Sequence, residues 1–151
     1  MSFKKLSGSM KSPSDLRVAF FVCKRKEEIM SLKDTCASVW EAFPVAIESG
    51  DSLTGTINLG GLRLFGIVMP SEWTTANLTF QMSPDAGATW VDVVDQNGDE
   101  VLMAGKLVSY VAVEKPAQFA PLQYLRIRSG TSLTPISQSA ARVLQLVLRS
   151  V

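Results

Sequence analysis

The sequence predicts an all-β fold: an antiparallel β-sandwich or jelly roll of about 8–9 strands, with an N-terminal basic arm and short helical segments. Three observations predict it. Apolar and polar residues alternate with a period of two over most of residues 44–151, turn residues recur between these runs, and helical periodicity is confined to the start. The length, 151 residues, suits one domain. We therefore divide the chain into an arm and helical extension, residues 1–43, and a β-sandwich domain, residues 44–151.

The extension is basic. Residues 1–33 carry eight Lys/Arg and three Asp/Glu, whereas residues 34–151 carry seven and eleven. A basic arm on a mildly acidic body suits an acidic partner surface, and the simplest alternative is a solvated tail. Binding of nucleic acid through its phosphates is less favoured, because no aromatic residues interleave with the basic cluster. The candidate contact residues are Lys4, Lys5, Lys24, Arg25 and Lys26.

Two segments of the extension have helical patterns. Pro13 suits the first turn of a helix that would run to Cys23, but the apolar residues between them also alternate as in a strand, so both structures stay open. A single apolar stripe predicts a second helix over residues 31–43, which Pro44 would end. The apolar run before Lys24 is too short to cross a bilayer, and we predict no membrane anchor.

The sandwich domain consists of short apolar runs separated by turn signals. The run at residues 62–69 is apolar on both faces apart from Arg63, which predicts a central strand. The residues Gln96-Asn97-Gly98-Asp99 predict a hairpin turn. The expected strands are residues 53–59, 62–69, 78–82, 90–95, 101–103, 107–113, 124–129 and 142–149.

The side chains that most enzymes use are scarce. The chain has no histidine, which removes Ser-His-Asp and Cys-His nucleophile activation and most catalytic zinc sites. Its two cysteines, Cys23 and Cys36, match no zinc spacing and are expected to be reduced thiols. The carboxylates at residues 92–100 cluster on one hairpin, where nothing would exclude water, and their spacing fails the calcium-loop pattern. We predict no enzyme, no metal and no cofactor.

Trp73 is the one candidate contact residue outside the extension. It follows Pro70 in an expected loop, where a large apolar side chain needs cover. It either caps the end of the sandwich, or anchors a partner or stacks on a sugar.

The octet from Ser83 to Trp90 matches the pattern S-x-D-x-G-x-T-W. Asp85 is placed to accept backbone N–H bonds across a turn, Gly87 permits positive φ, and Trp90 is placed to cover the hairpin base. The octet resembles the Asp-box hairpin of sialidases and other β-proteins. That resemblance implies a hairpin shape and carries no catalytic residue.

Three further blocks carry a second resemblance. They are residues 58–70 (NLGGLRLFGIVMP), residues 76–81 (ANLTFQ) and residues 124–131 (YLRIRSGT). Together with the octet they resemble small structural proteins of tailed bacteriophages, over roughly residues 44–149. The third block is also similar to a late strand of galactose-binding-like jelly rolls.

The phage resemblance implies a function. It implies a virion protein, assembled in the host cytoplasm, and above all a capsid decoration or cement protein. Its partners would be copies of itself, in a trimer or another symmetric oligomer, and a major capsid or other virion protein. The alternative is a carbohydrate-binding jelly-roll module of a phage fibre, or a tail or neck component, that acts in host recognition.

Overall fold

The computed structural model describes residues 40–150. The basic arm, the helix or strand predicted from Pro13, and both cysteines lie outside the described residues. The described part is almost entirely β-structure, and its only helix is one 3-10 turn at Pro116–Phe119. The strands are β1 (Trp40–Ile47), β2 (Ile57–Asn58), β3 (Leu62–Val68), β4 (Leu78–Ser83), β5 (Val91–Asp92), β6 (Tyr110–Ala112), β7 (Tyr124–Ser129) and β8 (Arg142–Ser150).

The strands form two antiparallel sheets of four. The first sheet has the order β1-β8-β3-β6 and the second has the order β2-β7-β4-β5. The core consists of the side chains that point inward from each sheet, as alternation predicts. In β8, for example, Leu144, Leu146 and Leu148 are all buried. This two-sheet architecture is consistent with the predicted β-sandwich.

Aromatic packing closes the core near β6. The rings of Phe80 and Phe119 meet edge to face, with centroids 4.9 Å apart. Phe119 belongs to the 3-10 turn, so this turn covers the end of the core beside β3. The segment that begins at Pro116 is therefore packed against the core.

The helix predicted over residues 31–43 is wrong for its last four residues. Trp40 to Phe43 belong to β1, which pairs with β8 over eight residues, and Pro44 lies inside this strand opposite Gln145. Proline is tolerated there because, among the described residues, β1 is an edge strand whose ladder is with β8 alone, apart from one bridge at Ile47. The long ladder with β8 decides the conformation, since tertiary pairing overrides a local helical pattern.

Most predicted strands are present, and several are shorter than predicted. The central strand is confirmed as β3, between β8 and β6. The predicted strand at residues 53–59 contains only β2 and isolated bridges at Leu53 and Thr54. The predicted strand at residues 107–113 is reduced to β6.

Candidate functional site: the outer faces and edges of the two sheets

The octet of the sequence is a tight hairpin between β4 and β5. Asp85 receives the backbone N–H of Thr89 at 2.7 Å on Oδ1 and the Thr89 hydroxyl at 2.7 Å on Oδ2. Ser83 Oγ accepts the N–H of Gly87 at 2.7 Å and donates to Asp85 Oδ1 at 2.8 Å. These bonds hold the pKa of Asp85 below its ordinary value of 3.8, with the Thr89 backbone N–H as the largest cause.

The indole of Trp90 completes this hairpin. Its N–H donates to the Gly87 carbonyl at 3.1 Å, and Gly87 has φ +100°. The guanidinium of Arg126 lies 4.1 Å from the centre of the Trp90 ring. The polar atoms of the octet are thus used inside the turn, which agrees with its predicted structural role.

The outer face of the second sheet is polar and internally paired. Arg128, which is 7% exposed, donates to Asp92 at 2.7 Å and to Glu100 at 3.2 Å. Glu100 also accepts the backbone N–H of Ser132. Asp92 and Glu100 lie on the two arms of the hairpin at residues 91–103, so Arg128 fastens this hairpin to β7.

The remaining acids of this hairpin belong to its turn. Asp95 accepts the backbone N–H groups of Asn97 at 2.8 Å and Asp99 at 3.1 Å, and these two bonds are the largest causes that lower its pKa. Gly98 has φ +89°, as the predicted turn requires. The acidic cluster that the sequence places here is therefore divided between an ion-pair network and a turn.

The outer face of the first sheet is apolar. Its exposed centre contains Val68, Tyr110 and Val143, which are 39%, 53% and 48% exposed. Apart from the Tyr110 hydroxyl, Gln145 is the one uncharged polar group among the described side chains of this face. Arg63 and Arg149 occupy opposite positions in the β3–β8 ladder at one end. We call this surface the apolar face; its other members are Ala42, Pro44, Ala46, Gly66, Ala112 and Val147.

Tyr110 covers the middle of the apolar face. Its ring lies over Gly66, where an added Cβ would meet the ring, and its hydroxyl donates to the Phe65 carbonyl at 3.2 Å. Sequence analysis missed this surface. The alternation in β8 contained the signal, because the residues between its buried leucines include Val143 and Val147.

Within the described residues, β6 forms the edge of the first sheet opposite to β1. The backbone N–H of Val113 donates to the Phe65 carbonyl, and the Ser109 carbonyl accepts from the N–H of Met69. The odd-numbered residues of this segment therefore direct their backbone hydrogen-bonding groups toward β3. In an antiparallel ladder the intervening residues turn their backbone groups the other way. The N–H and C=O groups of Tyr110 and Ala112 therefore point out of the sheet edge.

A cleft of about 280 Å³ lies beside this edge, between β6 and residues 101–104. Phe80, Met103 and Phe119 contribute to its lining, together with Asp95, Glu100, Glu114 and Lys115. Half of the exposed large apolar side chains of the described residues lie between positions 94 and 110 of the chain: Val94, Leu102, Leu107, Val108 and Tyr110.

Trp73 is buried. Only 7% of it is exposed, it belongs to the hydrophobic core, and its indole N–H donates to the Ala76 carbonyl at 3.0 Å. This position favours the alternative in which Trp73 caps the sandwich. The other candidate contact residues, Lys4, Lys5, Lys24, Arg25 and Lys26, lie outside the described residues.

Among residues 40–150, no group of three His, Cys, Asp or Glu side chains is placed to hold a metal ion. No helix within this described range has the length and apolar character needed to cross a membrane.

Comparison with protein-family models, with curated proteins and with solved structures finds no match.

Proposed function

We propose that the chain is a structural protein of a tailed-phage virion, a capsid decoration or cement protein that binds other virion subunits through symmetric contacts. The apolar face is the observation that carries this proposal. An antiparallel sheet that faces water on one side normally alternates apolar residues inside with polar residues outside. In the first sheet that polar outer layer is reduced to Gln145 and to Arg63 and Arg149 at one end, which is typical of a surface that another molecule covers.

The second sheet provides an internal comparison. Its outer face carries Arg126 and Arg128 on β7 and Gln81 on β4, with Asp92 opposite Gln81 on β5. Both sheets belong to the same chain and have the same number of strands. The difference in polarity therefore distinguishes the outer face of the second sheet, which suits contact with water, from that of the first sheet, which suits contact with a partner.

The strand order supports the jelly-roll assignment and, by analogy of fold, the virion role. β1 pairs with β8, β2 with β7, β3 with β6 and β4 with β5, as in a long hairpin rolled into two sheets. We infer that this is an eight-stranded jelly roll, an architecture used in viral capsid and lectin domains. Fold alone does not determine function, so the apolar face remains the main argument.

The proposal includes the basic arm. Residues 1–33 carry eight basic and three acidic residues, a charge that suits acidic patches on a neighbouring subunit. The carbohydrate-binding alternative relies on Trp73 and the acidic hairpin. It has less support, because Trp73 is buried and the carboxylates of Asp92 and Glu100 are paired with Arg128.

Mass spectrometry of purified phage particles tests the proposal. We expect the chain in intact virions, in a copy number that is a simple multiple of the capsid symmetry. Particles that lack the chain should release DNA at a lower temperature than complete particles. Absence of the chain from intact virions would contradict the proposal, whatever its state in solution.

A further inference from the structure

We propose that two copies of the chain pair through β6, so that their first sheets join into one eight-stranded sheet. This inference rests on the proposed function, because it names the partner of the first sheet as a second copy. The backbone groups of Tyr110 and Ala112 make the pairing available, since they point out of the sheet edge. An exposed sheet edge of this kind is a template for strand addition.

The positions of these groups select one register. In a two-fold antiparallel pair, Tyr110 of each copy lies opposite Ala112 of the other, and Val111 lies opposite itself. Each Tyr110–Ala112 pair exchanges two backbone hydrogen bonds, which gives four across the edge. The register also places Ala112, a small residue, beside the Tyr110 ring of the second copy.

The side chains around β6 fit a second copy of the same surface. Leu102, Leu107, Val108 and Tyr110 range from 46% to 76% exposed. At roughly 100 Å² of accessible area each, they supply about 400 Å² per copy, or about 800 Å² per dimer, which is the size of a weak interface.

Val108, beside this edge, is the most exposed of these side chains at 76%. It lies in the turn that precedes β6, with φ +47°, so the ladder register does not extend to it.

The pairing also explains the size of the apolar face. Four strands about 4.8 Å apart and about seven residues long give one face of roughly 400 Å². A standard protein interface covers about 800 Å² on each partner. Two faces joined edge to edge reach that size, so the dimer presents a complete docking surface where one copy presents half.

The test uses the full chain with both native cysteines replaced by serine. In the proposed register the two Val111 Cα atoms lie about 4.5 Å apart, within the range that a disulfide spans. The Val111→Cys variant should therefore form a covalent dimer on mild oxidation. The matched control is Val113→Cys, one residue beyond β6, where the two Cα atoms would lie roughly 13 Å apart, too far to bridge.

The native edge is tested by sedimentation of the unmodified chain and of Ala112→Pro. We expect a mass twice the 16.4 kDa of the chain for the first. Proline at 112 removes an N–H that makes no bond to β3, so the protomer should keep its melting temperature while its dimer dissociation constant rises at least about tenfold. Ala140→Pro, in an exposed loop away from β6, should leave the dimer intact.

Three results would overturn the inference. They are a monomer at high protein concentration, equal cross-linking at positions 111 and 113, and an Ala112→Pro variant that dimerises normally. A chain that is found in virions and does not dimerise refutes the β6 pairing and leaves the proposed function in place. A chain that dimerises through β6 and is absent from virions refutes the proposed function and leaves the β6 pairing in place.

Discussion

Replacement of Arg128 by methionine tests how the hairpin at residues 91–103 is held to the second sheet. Methionine keeps most of the side-chain volume and removes the cation. Asp92 and Glu100 then face each other across the hairpin without the group that both contact, at 2.7 and 3.2 Å. We expect the folded state to lose stability mainly because two neighbouring carboxylates lose their compensating charge.

The size of the loss follows from burial. Removal of one partner from a fully buried ion pair costs about 3–5 kcal/mol. The side chains of Asp92 and Glu100 keep 35% and 19% of their exposure, so water screens part of the charge. We expect Arg128→Met to lower the free energy of unfolding by about 2 kcal/mol, which corresponds to a fall in melting temperature of about 8 °C for a domain of this size.

Urea unfolding followed by tryptophan fluorescence measures this change. The triple variant Arg128→Met, Asp92→Asn, Glu100→Gln serves as the control, because it removes the uncompensated charges together with the cation. It should regain about 1 kcal/mol relative to Arg128→Met. A loss below about 0.5 kcal/mol for Arg128→Met would refute the reasoning, since it would place the network in the range of ordinary surface pairs.

Three further outcomes are expected. The folded-state pKa of Asp85 is lowered, so the contribution of this carboxylate to stability is complete above the ordinary value of 3.8 and is lost as pH falls through the folded-state pKa. The free energy of unfolding should therefore fall less steeply with decreasing pH for Asp85→Asn than for the natural chain. Gly130→Ala should destabilise by about 1–3 kcal/mol, because its Cβ would meet the backbone of Thr134 and Ile136 and its φ is +92°; Gly61→Ala, with open space at its Cβ, should be nearly neutral in the same melts. Deletion of residues 1–29 should leave the near-ultraviolet spectrum of the sandwich unchanged and weaken incorporation into particles; loss of the folded spectrum would show that this segment is part of the core.

Much of the fold was predictable from local patterns. The alternation in residues 124–129 and 142–149 identified β7 and β8 with their buried faces, because inward leucines and isoleucines recur every second position. The Asp85 hairpin was predictable for a different reason. Its hydrogen bonds lie within seven residues, so the octet specifies its own geometry.

The errors came from long-range pairing. Residues 40–43 have an apolar spacing typical of a helix, but their ladder with β8 joins residues about one hundred positions apart, and no local pattern contains that information. The ion pairs of Arg128 have the same origin, since Asp92 and Glu100 reach it only after β7 packs beside β4.

The candidate site was the least predictable part. Basic residues in the extension and an apolar Trp73 were the visible signals, whereas the apolar face combines single residues from four strands. Each of these residues is unremarkable in its own strand. The surface exists only because the order β1-β8-β3-β6 places them side by side.

The most direct test of the central claim compares two lysine substitutions for incorporation into phage particles. Val143 on the apolar face is 48% exposed, and Val91 on the second sheet is 50% exposed, so Val143→Lys and Val91→Lys place the same charge at equally accessible positions on opposite sheets. Quantitative mass spectrometry of purified particles should find Val91→Lys at the level of the natural chain and Val143→Lys strongly depleted, with both proteins folded. Equal incorporation of the two variants would contradict the claim that the apolar face is the assembly surface.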